Sequence, residues 1–540
     1  MRLPLLLAAA AAVTAAPAPA AAPATPPKLI VAISVDQFAA DLFDRYRGEF
    51  SGGFARLARE GTVFRNGYQS HAATETCPGH STILTGDHPS ETGIVANDWI
   101  DQGAARADKH VYCAEDETQP DTTFTNYKVS TAHLRVATLG DRLKAVSPQS
   151  RNVAIAGKDR AAIMMGGRNV DQRWYWDGKS WTTDTGKAPP QTIVRLNQLW
   201  AAKLAQASEP LVPPANCTAR AKPYAITPTL TVGNGTLQRA ANDPRFVRAH
   251  PDFDGAVLAG AAALVNELGL GRGPAPDVLA VGLSATDYVG HAYGNRGQEM
   301  CLQMLALDRE LGDFLDQMDK TGIDYALVLT ADHGGLDIPE RLRDQGVPQA
   351  QRADPALAPS AVGKLLAPQV GRTEPVLVGD GIGADGWLDK RLDPATARRV
   401  LAATVARYKA QPQVYAVYTK DEILRSPVPH GHPDKWSVIQ RVRASYERQR
   451  SGDFYVVLKP YVSAVAKPAP GYTATHGSVW DYDRRVPIIF WRRGAAPADR
   501  TEAVETVDIL PTLAPMIGLT LAAPAIDGRC LDGAAGVRCR

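Results

Sequence analysis

Lys28-Leu-Ile-Val-Ala-Ile-Ser-Val-Asp36 is the stretch on which the fold turns. It is apolar almost without interruption over the length of a strand. A half-buried strand alternates apolar and polar residues; an unbroken apolar run fits a parallel strand covered on both faces. The run stops at a carboxylate. Similar runs are Asn152–Ala156, ending before Gly157-Lys158-Asp159-Arg160, and Asp277–Leu283, ending before Asp287. Tyr325–Leu329 ends before Asp332-His333, and Arg485–Phe490 is a fifth. Helical patterns at Thr131–Ala145, Gly255–Leu268 and Met300–Lys320 separate them. The alternation predicts an α/β fold, a mainly parallel central sheet flanked by helices. Ligands bind such sheets beyond the carboxyl ends of the strands, where these polar residues fall.

Two long stretches break the rhythm. Residues 161–250 are rich in Trp, Pro, Asn and Thr, with short strands expected around Arg173 to Trp181. Residues 340–465 carry Pro-rich loops, a helix near Ala395–Ala410, and strands at Val414–Thr419 and Phe454–Lys459. Both read as insertions forming a cap beside the sheet. The catalytic core is then discontinuous, built from residues 28–160, 251–339 and 466–540.

With 540 residues the chain is long enough for a large core. Its composition, 45% apolar and 21% charged with a formal charge of +2, gives no reason to expect a nucleic-acid or membrane-surface partner. Residues 1–20 read as a secretory signal: Arg2, then apolar Leu3–Val13, then Ala18-Pro19-Ala20 as a cleavage site. A Pro/Ala linker follows at 21–27. No later run reaches the roughly 18 apolar residues that a membrane span requires. The mature chain is therefore expected to be periplasmic or secreted, without a transmembrane segment. Six cysteines, an even number in an exported chain, permit disulfides. Cys530 and Cys539 are expected to pair. Cys77 has no separate base in view and reads as structural.

The stretch His71–Trp99, HAATETCPGHSTILTGDHPSETGIVANDW, supplies a hydroxyl. Thr76 falls where a helix would start, a position at which Thr caps well and Pro78 is tolerated in the first turn. A hydroxyl there faces free N–H groups and the positive helix end, which suits a phosphate. Alone, it is a capping threonine. Two His/Asp groups change that reading. Asp287 and His291, at i and i+4, share a helical face; Asp332-His333 follows the next strand, and His476 lies in a Gly-containing loop before residue 485. Imidazole with carboxylate favours zinc over magnesium. Singly these spacings arise by chance; together at strand ends they form a constellation. His80 reads as a packing or hydrogen-bonding residue, His430-Gly-His432 is set aside as a loop, and His71 and His88 receive no role.

These residues resemble the alkaline phosphatase superfamily: Ser-Val-Asp36, Thr76 ahead of a helix, Asp287-x-x-x-His291, Ala-Asp332-His333-Gly-Gly and Thr-His476-Gly. The closing Val507–Gly518 is similar to that superfamily's last helix. The resemblance implies two zinc ions per chain. Asp287, His291 and His476 would hold one; Asp36, Asp332 and His333 would hold the other, with the Thr76 oxygen as a further ligand. Asn97 and Lys158-x-Arg160 narrow the likeness to PafA-type phosphatases, which set an Asn, a Lys and an Arg around the phosphate of a threonine nucleophile. In an extended segment i and i+2 side chains point the same way, so Lys158 and Arg160 are expected on one side.

The implied activity is hydrolysis of small-molecule phosphate monoesters through a phosphothreonine, with secondary diesterase activity. The chemistry is consistent: a threonine hydroxyl is a poor nucleophile until activated, and a metal pair about 4 Å apart can clamp the attacking and leaving oxygens. A nucleotide pyrophosphatase/phosphodiesterase of the same superfamily is the nearest alternative. A noncatalytic metal- or phosphate-binding protein is a remoter one. A sulfatase is disfavoured, because Cys77-Pro78-Gly79-His80 lacks the C/S-x-P-x-R pattern that makes formylglycine. Oligomeric state has no signature in the sequence.

Overall fold

The computed structural model describes residues 25–521 and 525–539. The signal segment and residues 21–24 of the linker lie outside the described residues. Strand β1 (Leu29–Val35) is buried at every position. Leu29, Val31, Ile33 and Val35 enter one core and Ile30 and Ala32 the other. Both faces are covered, which is why the run does not alternate.

β1 sits near the middle of a nine-stranded sheet with β2 (Thr62–Tyr68), β3 (Asn152–Ala156), β4 (Gln172–Trp176) and β5 (Trp181–Thr182). The remaining strands are β6 (Asp277–Leu283), β7 (Tyr325–Thr330), β8 (Arg485–Arg492) and β9 (Ala498–Glu505). Their spatial order is β9-β2-β8-β7-β1-β6-β3-β4-β5. The β1–β6, β1–β7, β6–β3, β3–β4 and β9–β2 pairs are parallel. β8 is antiparallel to both β7 and β2, and β5 is antiparallel to β4. A strand buried on both faces is apolar whichever way it runs, so Arg485–Phe490 could not be oriented from its pattern.

The register aligns the strand ends. Val35 lies opposite Leu283, Ser34 opposite Thr330, and Gly282 opposite Ala156. The loops after β1, β6, β7 and β3 therefore open along one edge. Helices Asp252–Leu268 and Gln298–Lys320 cover the Leu29 face, and Asp159–Gly166 and Ile509–Met516 the Ile30 face. The helix expected over Thr131–Ala145 is Leu139–Val146. It begins at a capping box between Thr138 and Asp141, so the polar residues before Thr138 stay in turns.

Residues 161–250 are not wholly an insertion. β4 and β5 extend the main sheet, and Trp174, Trp176 and Trp181 join the same core as Trp200 and Phe253. The five residues of β4 begin with Gln and Arg, too short and too polar an opening to register as a buried strand. A disulfide, Cys217–Cys301, ties the rest of that stretch to helix Gln298–Lys320. Residues 340–465 do build a separate antiparallel sheet, ordered Leu377–Val378, Asp385–Leu388, Phe454–Leu458, Val414–Thr419, with its own core. Cys530 and Cys539 are paired, as are Cys77 and Cys113. No helix among the described residues is long and apolar enough to cross a membrane.

Candidate active site

The aligned strand ends bring every residue of the sequence constellation to one place. Asp36 follows β1, Asp332 and His333 follow β7, and His476 precedes β8. The Thr76 segment follows β2 as helix α1 (Thr76–Ile83), and Lys158 follows β3 at the head of α2 (Asp159–Gly166). Asp287 and His291 sit on α3 (Ala285–Tyr293) after β6. Potential ligand atoms of Asp287, His291 and His476 lie within 4.8 Å of one another, as do those of Asp36, Asp332 and His333. These are the candidate metal groups among the described residues; exposed His430 and His432 belong to neither.

The three imidazoles are held alike. Nδ1 of His291, His333 and His476 donates to the backbone oxygens of Ala474 (2.8 Å), Gly334 (2.8 Å) and Thr74 (2.9 Å). A carbonyl can only accept, so in a neutral ring Nε2 carries the lone pair. His291 Nε2 is 3.2 Å and His476 Nε2 3.5 Å from Asp287 Oδ1. His333 Nε2 is 3.3 Å from Asp332 Oδ2 and 3.5 Å from Asp36 Oδ1. Burial holds His333 below the usual imidazole range. It holds His476 well below, with His333 and His291 acting in the same direction. Lone pair thus faces lone pair. Asp36 Oδ1, Asp287 Oδ1 and His333 Nε2 are buried without a hydrogen-bond partner. Such an arrangement is unfavourable unless cations stand between the acceptors. The residues present fit two metal ions, with carbonyl-anchored imidazoles as metal-ligating histidines commonly have.

Lys158 stands between the groups, its Nζ 2.6 Å from Asp36 Oδ2 and 2.6 Å from Asp287 Oδ2. Burial opposes its charge, but the Asp287 and Asp36 carboxylates hold its pKa above that of an ordinary lysine. The extended geometry expected through Arg160 ends at Lys158, which is the last extended residue before α2. Arg160 nevertheless reaches the site from the first turn, with Nη2 3.5 Å from Thr76 Oγ1 and Nη1 3.4 Å from the Tyr112 hydroxyl. Asp159 accepts from Tyr112 and Tyr127, which pins the turn between them.

Thr76 is the first helical residue of α1, not its cap. Glu75 holds the cap position, and its side chain makes no cap hydrogen bond. The hydroxyl is therefore not spent on its own helix. Gly79 sets how close the nucleophile segment comes, since a Cβ there would fall 1.9 Å from the Asp332 carbonyl oxygen. His80, read as a hydrogen-bonding residue, has its Nδ1 2.9 Å from Thr76 O and 3.1 Å from Asp332 Oδ2. Asn97 is clamped from both sides of Thr76. Its N–H donates to Glu75 Oε2 (2.7 Å) and its Oδ1 accepts from Cys77 N–H (2.8 Å). The amide Nδ2 is left as the free donor. Sequence reasoning assigned nothing to Glu75 or Tyr112, whose parts depend on contacts between distant segments.

A cavity of about 490 Å³ opens over Asn97, His291 and His476. Its far wall is the cap sheet, through Tyr455, Val457 and Leu458.

Residues 30–479 match the model of the type I phosphodiesterase / nucleotide pyrophosphatase family, and the chain belongs to that family. It is 50% identical over 516 residues to alkaline phosphatase PhoK of Sphingomonas sp, covering 95% of this chain and 92% of that one. It is 45% identical over 509 residues to alkaline phosphatase PhoD of Zymomonas mobilis subsp. mobilis, covering 94% and 88%. The crystal structure of wild-type alkaline phosphatase PafA matches with a TM-score of 0.81 at 25% identity, over 95% of this chain and 100% of the other. Within the alkaline phosphatase superfamily the chain is of PafA type, a phosphoric monoester hydrolase.

Proposed function

We propose that the chain is an exported, zinc-dependent phosphatase that hydrolyses small-molecule phosphate monoesters through a phosphothreonine at Thr76. The observation that carries this reading is the facing of buried lone pairs in two Asp/His groups, with a threonine hydroxyl nearby that its own helix does not use and that Arg160 reaches. Asp287, His291 and His476 would hold one zinc; Asp36, Asp332, His333 and the Thr76 oxygen would hold the other. Bound zinc would supply Lewis acidity, lowering the cost of the threonine alkoxide and of the leaving oxygen.

The protein groups supply the rest. Thr76 Oγ1 forms a bond to phosphorus while the ester P–O bond breaks, and the alcohol departs on the side of His291 and His476. Water then cleaves the phosphothreonine, which releases inorganic phosphate and restores the hydroxyl. Arg160 meets nonbridging oxygens with its planar fork and Lys158 adds a point charge. Asn97 Nδ2 donates to the same group. Charge supports a monoester: Asp36, Asp287 and Asp332 against Lys158 and Arg160 leave one net negative charge. Two divalent cations would turn it into three positive charges, matched by an alkoxide and a dianion. A diester would leave one charge unmatched. The family description favours secondary diesterase activity as the second reading.

Export is supported by the signal pattern of residues 1–20 and by the pairing of all six cysteines. The test of the intermediate is acid quenching during turnover, followed by peptide mapping. Phosphate should sit on the peptide containing Thr76, and Thr76→Ala should lose most activity while keeping its metal. Label on another residue would overturn the assignment.

A further inference from the structure

The cavity over the site is acidic where the leaving group must lie. Thr76 is beside Arg160 and is joined through His80 to Asp332 of one group, while the cavity opens on His291 and His476 of the other group. An in-line displacement puts the departing oxygen opposite the attacking one. The alcohol portion of the ester therefore occupies this cavity. Glu75, Asp98, Asp380 and Asp483 line it, and no Lys or Arg does. The cationic side chains of the site, Lys158 and Arg160, are not among its walls.

Two further observations bear on that wall, though burial pushes the Glu75 and Asp483 carboxyls up to about 7. Asp483 is 1% exposed, and one of its oxygens accepts from Ser478 N–H (2.8 Å). Its other oxygen, Oδ1, is buried with no partner. The apolar part of the lining is aromatic: Tyr455 from the cap sheet, Tyr472 at the rim 5.2 Å from the His291 ring, and Trp480. Carboxylates interleaved with aromatic faces attract cations, because the ring quadrupole and the carboxylate act with the same sign.

We infer that this cavity selects phosphate monoesters whose leaving group is cationic or uncharged, aminoalkyl phosphates foremost, and discriminates against esters carrying a second anionic group. The inference rests on the monoesterase reading and names the substrate class of the same site. Asp98 and Asp380 are the two carboxylates on exposed positions of the wall, one on the core side and one on the cap. They act through space on the far end of the substrate, without touching the phosphoryl group.

The test compares kcat/KM for three alkyl monoesters of similar size: 2-aminoethyl, n-propyl and carboxymethyl phosphate. Zinc-loaded full-length protein and its Asp98→Asn/Asp380→Asn variant are measured side by side. Intrinsic reactivity differs among the three esters, but it cancels when each substrate ratio is divided by the same ratio in the variant. Removing the two carboxylates should lower the 2-aminoethyl to carboxymethyl ratio by on the order of tenfold, with n-propyl phosphate in between. In the wild type, raising the salt from 20 mM to 1 M should compress the ratio in the same direction, which keeps the inference testable if the variant folds poorly. A ratio indifferent to both the substitutions and salt overturns it, while leaving the monoesterase reading intact. Failure of all three esters to turn over would instead remove that reading, and this inference with it.

Discussion

At the scale of single residues, the site depends on groups that orient the ligands as much as on the ligands. His80 touches both the Thr76 carbonyl and Asp332 Oδ2, so it fixes the helix start and the carboxylate together. Groups that hold metal ligands in place typically alter affinity by about 10–100-fold when removed. His80→Ala should weaken zinc binding by about that range in a chelator competition, with most of the rate recovered at high zinc. Unchanged affinity would make His80 a packing residue only. Thr76→Ser keeps a hydroxyl at the first position of α1 and should stay active, whereas Thr76→Ala should not. The sequence named each of these positions and read Thr76 as the nucleophile, but it expected that residue at the cap, one position before its place in the helix. Capping depends on backbone geometry within a residue of the helix start, which spacing does not resolve.

At the scale of elements, close approach and buried charge fix the pieces around the site. α1 lies against the end of β7 because residue 79 lacks a Cβ. Gly79→Ala would press a methyl into the Asp332 backbone. Overpacking of this kind costs about 1–3 kcal/mol, so Tm should fall and activity should fall further, because Thr76 moves with the helix. A variant with unchanged Tm and rate would show that α1 tolerates displacement. A second link joins the start of helix Pro89–Thr92 to the C-terminal segment through His88, whose ring lies 2.8 Å from Asp527 Oδ2 and 2.9 Å from Glu505 Oε2. Burial works against a charged ring there, but the two carboxylates lift its pKa to about 10. A folded value above the unfolded value of about 6.5 means that this stabilisation is complete below about pH 6.5. It disappears as pH rises through about 10. The Tm gap between wild type and His88→Gln should therefore narrow from pH 7 to pH 10. A constant gap would contradict the pairing. Nothing in the sequence marked His88, because its partners are more than four hundred positions away.

At the scale of the molecule, the core strands were legible because burial on both faces leaves an apolar run that few other environments produce. Strand direction, the membership of β4 and β5 in the main sheet, and the contribution of the cap to the cavity were not. An antiparallel strand buried on both faces reads like a parallel one, and short aromatic strands do not reveal which sheet they join. Most of the proposed ligand set was legible as a group because parallel strands deliver their carboxyl ends to one edge, so residues far apart in sequence share a predictable location. Purified protein should contain about two zinc ions per chain, and chelation should abolish activity that zinc restores; full activity in metal-free protein would end the zinc reading. The central claim, a site built for a dianionic monoester, meets its most direct test in Lys158 and Arg160. Loss of charge-assisted hydrogen bonds of about 1.5–3 kcal/mol lowers rates roughly ten- to a hundredfold. With zinc occupancy matched, Lys158→Ala/Arg160→Ala should reduce kcat/KM for p-nitrophenyl phosphate far more than for a p-nitrophenyl phosphodiester. Equal losses on the two substrates would contradict the account and return the site to a diesterase.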